Sequence, residues 1–201
     1  MSFFQKSLPQ KPSFKPATEG DQIKGQIKDF IWETLKVIVI SLAIIIPVRY
    51  FLIQPFYVKG ASMEPNFYDH EYLIIDEISY RLREPVRGDV IVFRYPNDPS
   101  QFFIKRIIAL PFETINLNNG QIKISNDKNP DGFILDENNY LPNTHTQGSM
   151  SATLEANQYF IMGDNRSSSL DSRMFGPVGR SDIIGRAWIR GWPFNRITVF
   201  N

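Results

Sequence analysis

Ser62 lies in Gly60-Ala61-Ser62-Met63-Glu64-Pro65, shortly after a long apolar segment, and Lys105 lies in the apolar run Phe102-Phe103-Ile104-Lys105-Arg106-Ile107-Ile108. A serine hydroxyl is a weak nucleophile at neutral pH and becomes reactive when a neighbouring base takes its proton. A lysine can be that base if burial disfavours its ammonium form, which brings its pKa from about 10.4 towards 7–8 at a cost of roughly 4 kcal/mol. Read as a strand, the run puts Phe103, Lys105 and Ile107 on one face and Ile104, Arg106 and Ile108 on the other. The positive charge of Arg106 is expected to lower the lysine pKa further. Gly60 lets the backbone approach another chain closely and Pro65 fixes its own φ, so Ser62 is framed by two conformational constraints. Taken alone, Ser62 reads as an ordinary turn serine and Lys105 as a charge guarding an edge strand.

A third stretch changes that balance. Gly163-Asp164-Asn165-Arg166-Ser167-Ser168-Ser169-Leu170-Asp171-Ser172-Arg173 follows the apolar run Tyr159 to Met162 directly. So many donors and acceptors in one loop point to order built from local hydrogen bonds and carboxylate–guanidinium pairs. A hydroxyl from this loop could orient a neutral lysine towards the serine. An ordinary polar loop and an acidic calcium loop are the alternatives. Calcium is disfavoured because Asp164 and Asp171 sit among arginines without the regular acidic spacing of a calcium loop.

Composition narrows the chemistry. The chain has no cysteine, so a disulfide framework, a thiolate metal site and a cysteine nucleophile are excluded. His70 and His145 are its only histidines, too few for a histidine-rich metal centre, and a histidine-based triad would have to use one of them. A formal net charge of +1 argues against a nucleic-acid partner, which needs a clustered basic excess. Neither a metal nor a cofactor is required.

The elements that must position these residues follow in chain order. Residues 1–29 are polar, with Pro9, Pro12 and Pro16 spaced among Lys6, Lys11 and Lys15, and read as a mobile cytoplasmic tail. Residues 30–53 are strongly apolar, uncharged from Val37 to Val48, and read as a retained transmembrane helix. The bulky Pro47 to Val58 stretch offers no small-residue cleavage site. Residues 54–201 are then extracytoplasmic and mainly β. Strands are expected at 72–75, 89–94, 102–108, 114–117, 121–125, 159–162 and 186–190. Asn119-Gly120 marks a hairpin, because both positions tolerate φ > 0. Residues 113–158 read as an inserted hairpin and excursion, partly irregular from Asn126 to Asn157. The fold class is thus an N-terminal transmembrane helix followed by an antiparallel β-sheet catalytic domain.

With these stretches in hand, the chain resembles the bacterial type I signal peptidases, membrane-anchored serine–lysine endopeptidases. Ser62 to Pro65, Arg87 to Phe93, Ile104 to Ile108 and the Gly163 to Arg173 loop match that family in order, the last most specifically. The resemblance implies that Ser62 is the nucleophile and Lys105 the general base. It implies that Ser169 positions Lys105 and that Asp171 and Arg173 form a supporting ion pair. It also implies a fold of antiparallel sheets with the peptide bound as an added strand. The implied substrates are signal peptides of exported preproteins, with small residues at the first and third positions before the cut. Membrane lipid and proximity to the secretion machinery are implied with them, as is a place in the cytoplasmic membrane. Phe103, Ile104 and Met63 are expected near the site, and Trp188, Trp192 and Phe194 at the membrane interface.

Three positions depart from the family pattern. Gly60 stands where some branches have a serine whose hydroxyl joins the oxyanion hole, leaving mainly the Ser62 N–H. Phe112 replaces a family glycine, and a positive φ there would strain it. Asn66 stands where threonine is frequent. A catalytically silent relative that binds exported peptides is the rival reading, sustained by Gly60 and Phe112. Self-cleaving repressors would need a DNA-binding domain where this chain has a tail and an anchor. Penicillin-binding enzymes would need a lysine where it has Pro65.

Overall fold

In the computed structural model the described residues are 19–51, 53–142 and 144–200. Contacts divide the chain into one unit ending at Ile46 and another beginning at Pro47.

The first unit is built on helix α1 (Glu19–Phe51). Helix therefore begins well inside the segment expected as a tail, whose residues 1–18 lie outside the described ones. Glu19 and Asp21 favour the helix N-terminus, and Gln, Ile and Lys dominate the following turns. Val37, Ile38, Val39 and Ile40 are all exposed, so the helix is apolar on every side there. Among the described residues no helix is long and apolar enough to cross a membrane. The uncharged run from Val37 to Ile46 rises about 15 Å, against a hydrocarbon core of about 30 Å.

The second unit is antiparallel β. Its elements are β1 (Ile53–Tyr57), β2 (Tyr72–Asp76), α2 (Ser79–Leu82), β3 (Val90–Tyr95), β4 (Asp98–Ala109), β5 (Thr114–Asn118), β6 (Gln121–Asn126), β7 (Asn129–Ile134) and β8 (Met150–Thr153). They are followed by β9 (Gln158–Met162), α3 (Ser172–Phe175), β10 (Val178–Gly179), β11 (Ile183–Trp192) and β12 (Thr198–Val199). An eight-stranded sheet runs β1-β2-β11-β3-β4-β9-β10, with β12 beside β11, and a four-stranded sheet runs β7-β6-β5-β8. Every strand expected from the sequence is present, with ends shifted by up to four residues.

The stretch expected as partly irregular, Asn126 to Asn157, carries β7 and β8, which complete the smaller sheet on either side of the β5–β6 hairpin. That hairpin turns at Asn119 (φ 48°) and Gly120 (φ 80°), as the Asn-Gly pair predicts. Phe112 does adopt a positive φ of 65°, in the turn between β4 and β5. Glu113 holds the turn by accepting from Leu110 N and, through both carboxylate oxygens, from Arg87 Nη2.

The strand that matters most is β4. Ile104 enters one core cluster with Val58, Met63, Phe67 and Val92; Ile107 enters a second with Ile91, Phe93 and Ile161; Ile108 and Ala109 enter a third under the smaller sheet. Both faces of β4 are thus covered, and any cation on it is taken from water.

Candidate active site

The Ser62 turn is built by alternating commitments. Val58, Met63 and Phe67 are buried in one cluster, and Phe67 N donates to Met63 O at 2.9 Å. The turn is thereby fastened at both ends, with half-buried Ser62 between the fastenings. Gly60 has φ 83°, and a Cβ added there would meet nothing within 4 Å, so backbone conformation rather than space calls for glycine. Its N–H donates to Asp69 Oδ1 at 2.9 Å.

Lys105 reaches this turn from β4. Its Nζ donates to Ser62 Oγ at 2.7 Å and to Ile104 O at 2.8 Å, and the residue is 4% exposed. Desolvation lowers its pKa to about 8, against the opposing charges of Asp171 and Asp164. The expected contribution of Arg106 is not what lowers it. Arg106 lies on the other face and is consumed by Asp164, donating Nε to Oδ1 at 2.8 Å and Nη2 to Oδ2 at 2.6 Å. The pairing leaves it no excess charge to act on the lysine.

The loop from Gly163 to Arg173 supports both partners. Asp171 is fully buried and accepts from Arg173 Nε and Nη2, each at 2.9 Å, from Gly163 N at 3.0 Å, and from Arg173 N as the cap of α3. Burial pushes its carboxyl up, but the Arg173 and Gly163 hydrogen bonds outweigh burial and hold it below its ordinary value. Asp164 and Asp171 are both committed to arginines, which closes the calcium alternative for this loop.

Ser169 is brought into the same loop, but its Oγ is buried without a partner in hydrogen-bonding geometry. It is near enough to Asp171 to add a smaller lowering effect on that carboxyl. The bond to Lys105 implied by the resemblance is not formed; Nζ is taken by Ser62 and Ile104. His70 pairs with Asp69 at 3.0 Å, and among the described residues no histidine bonds Ser62.

Residues beyond the expected ones complete the arrangement. Asn165 N donates to Ser62 O at 3.0 Å and Asn165 Nδ2 to Ala61 O at 3.1 Å. Asn66 Nδ2 donates to Asp164 Oδ2 at 2.8 Å and to Tyr140 O at 2.9 Å. A Cβ on Gly163 would stand 2.2 Å from Ser169 Oγ and 2.4 Å from Ser62 O, so glycine is required by close approach. Its place at the head of the polar loop was the available sequence signal. Asn66 was marked in sequence only by standing where the family often has threonine, and Asn165 carried nothing that separates it from other loop asparagines.

Ser62 and Lys105 open on a cleft of about 520 Å³, whose walls include Phe56, Tyr57, Phe102, Phe103, Ile104 and Leu170. Phe103 and Ile104 are at the site as expected. Met63 is buried beside the site, in the cluster that Ile104 also joins, and is not part of the cleft wall.

A serine bonded to a largely desolvated lysine, on an antiparallel β scaffold, is the apparatus of a serine endopeptidase that dispenses with histidine. The family described as signal peptidase, peptidase S26, matches residues 31–192. The chain is 36% identical over 170 residues to a probable signal peptidase I-2 of Synechocystis sp., covering 81% of this chain and 73% of that one. It is 34% identical over 197 residues to a signal peptidase I of Leptolyngbya laminosa, covering 94% and 91%. A signal peptidase I of Bacillus amyloliquefaciens is 28% identical over 183 residues, covering 89% and 97%. The chain belongs to the signal peptidase S26 family and is, with it, a serine endopeptidase.

Proposed function

We propose that this enzyme removes signal peptides from exported preproteins by acyl transfer from Ser62, with Lys105 as the general base. The observation that carries the reading is the 2.7 Å contact between Ser62 Oγ and the nearly buried Lys105 Nζ. With the amine neutral, the Ser62 O–H donates across the same contact. Lys105 takes that proton as Oγ attacks the scissile carbonyl, gives it to the leaving amine, and then activates the deacylating water. Asp171 and Arg173 brace the loop that carries Ser169, and Lys105 is aimed at Ser62 by its second contact, to Ile104 O. The cleft would receive the small side chains at the first and third positions before the cut, with an extended peptide added there as a strand.

The domain organisation proposed with it is a cytoplasmic N-terminal segment, a single membrane anchor at residues 30–53, and an extracytoplasmic peptidase domain from 54 with its insertion at 113–158. The all-round apolar character of α1 between Val37 and Ile46 supports the anchor, since such a helix needs a nonaqueous partner. Beyond Ile46 the sequence to Ile53 is apolar except for Arg49, which lies towards the end of the span where it can snorkel, so residues 30–53 have the length a crossing needs. Trp192 and Phe194 pack edge to face at 4.7 Å and are both exposed, as residues resting at a lipid interface would be. A lipid surface and the secretion machinery are the surroundings this implies.

The test is cleavage of a detergent-presented preprotein with a small-x-small site by wild type, Ser62→Ala and Lys105→Ala. The expected outcome is cleavage by wild type and a loss of at least about 10⁴-fold in both folded variants. No cleavage by folded wild type across several preproteins would favour the peptide-binding relative.

A further inference from the structure

Ser62 is flanked by two carbonyls, its own and that of Ala61, and Asn165 holds both. The backbone N–H of Asn165 takes the first and its side-chain amide the second. The Ala61–Ser62 peptide is trans and planar, so its C=O and N–H point in opposite directions. Holding the Ala61 carbonyl towards Asn165 therefore directs the Ser62 N–H away from it. There, among the described residues, that N–H meets no acceptor. The N–H of Gly60, two residues earlier on this turn, is already committed to Asp69 at 2.9 Å. Gly60 also brings no side-chain hydroxyl. The Ser62 N–H is thus an uncommitted donor at the nucleophile itself, and its direction depends on the peptide plane that Asn165 grips.

Asn165 is itself oriented. Its Oδ1 accepts from Ser167 Oγ at 3.0 Å, which turns Nδ2 towards Ala61. On one side of it in sequence, Asp164 is pinned by Arg106 and Asn66; on the other, Arg166 is buried against Glu137 and Thr146. The amide is delivered from a rigid base.

We propose that Asn165 is a positioning residue for the reaction. Its side-chain amide aims the Ser62 N–H at the oxyanion that forms when Ser62 attacks the carbonyl. The inference rests on the reading of Ser62 as nucleophile. An oxyanion donor acts through its direction, and removing one outright costs about 10²–10³ in kcat. Asn165 acts one step back, through a plane also held by Glu64 N at 3.2 Å, so the effect of its loss is smaller.

The test uses the full chain in detergent with Asn165→Asp, Asn165→Ala and Asn165→Gln. Each variant is assayed for kcat and KM, and for inhibition by a substrate-derived peptide aldehyde whose adduct with Ser62 places an oxygen in the oxyanion position. Asn165→Asp replaces the donor by an acceptor at constant shape. The expected result is a kcat about tenfold lower with KM within about twofold, and aldehyde affinity reduced by the same factor as kcat. Asn165→Ala should behave likewise, and Asn165→Gln, which keeps the amide, should recover part of the loss.

Wild-type kcat in folded Asn165→Asp and Asn165→Ala would overturn the proposal. So would a lower kcat with undiminished aldehyde affinity, the pattern of a structural role alone. Ser62→Ala in the same assay separates the two layers. If it is inactive while the Asn165 variants match wild type, only this inference fails; if it still cleaves, the nucleophile reading fails and takes this one with it.

Discussion

Lys105 and Arg106 are neighbours on β4, and both are buried, at 4% and 8% exposure, but the two faces of the strand treat them differently. Arg106 meets Asp164 through two hydrogen bonds, Gly88 O through a third, and the Tyr140 ring at 4.0 Å. Lys105 meets a hydroxyl, a carbonyl and, at 5.5 Å, the Phe103 ring, and the carboxylates that reach it through space are already bound to arginines. One cation is compensated by a bound anion. The other is left with its desolvation, and its pKa falls to about 8. A strand covered on both faces becomes a structural clamp or a reactive amine according to where the carboxylates are placed.

The compensated face is the place to look for the largest change in stability. Asp164→Asn leaves Arg106 buried without its anion, and breaking such a pair costs about 3–5 kcal/mol. Urea unfolding with an unchanged slope should register that loss, and a value below about 1 kcal/mol would show that Arg106 is not compensated as described. The same substitution removes a charge that favours the Lys105 ammonium, so activity in the surviving folded fraction should begin at lower pH.

The uncompensated face predicts the opposite sign. Below about pH 8 folded and unfolded chains both carry the Lys105 ammonium, and the folded chain carries it at a cost. Between about 8 and 10.5 only the unfolded chain is protonated, so wild-type stability rises with pH across that window. Lys105→Met should therefore stabilise the domain at neutral pH by about 3 kcal/mol, from a shift of 10.5 to about 8 at roughly 1.4 kcal/mol per unit. The gain should shrink as pH rises through the window. A destabilised Lys105→Met at neutral pH would mean that the lysine is compensated after all.

The smallest effect serves as a control away from both faces. Phe112 is 69% exposed and strained at φ 65°, so Phe112→Gly should gain about 1 kcal/mol with cleavage unchanged. Thermal unfolding at fixed pH would read it.

Much of this was legible in sequence where one residue type meets one physical demand. The apolar run around Lys105 announced a buried strand, and Ser62 between Gly60 and Pro65 announced a constrained turn. The loop's carboxylate–guanidinium pairing was legible from its composition, and the resemblance singled out Asp171 and Arg173. What was hidden depends on partners distant in sequence. The neutralisation of Arg106 by Asp164 could not be read from β4, and Asn165 looks like any loop asparagine until Ala61 O is placed beside it. In β7 the Asn129-Pro130-Asp131-Gly132 stretch and in β8 the Ser151-Ala152 pair lack strand composition, because these exposed edge strands are held by pairing rather than burial.

The central claim is that Lys105 is poised to be neutral beside Ser62, and the most direct measurement is an NMR titration of the Lys105 side chain in the folded wild-type chain. The account predicts protonation below and neutrality above a midpoint near pH 8, with cleavage rising through the same midpoint. A midpoint at or above about 10, the range of an unperturbed lysine, with cleavage independent of it, would contradict the account.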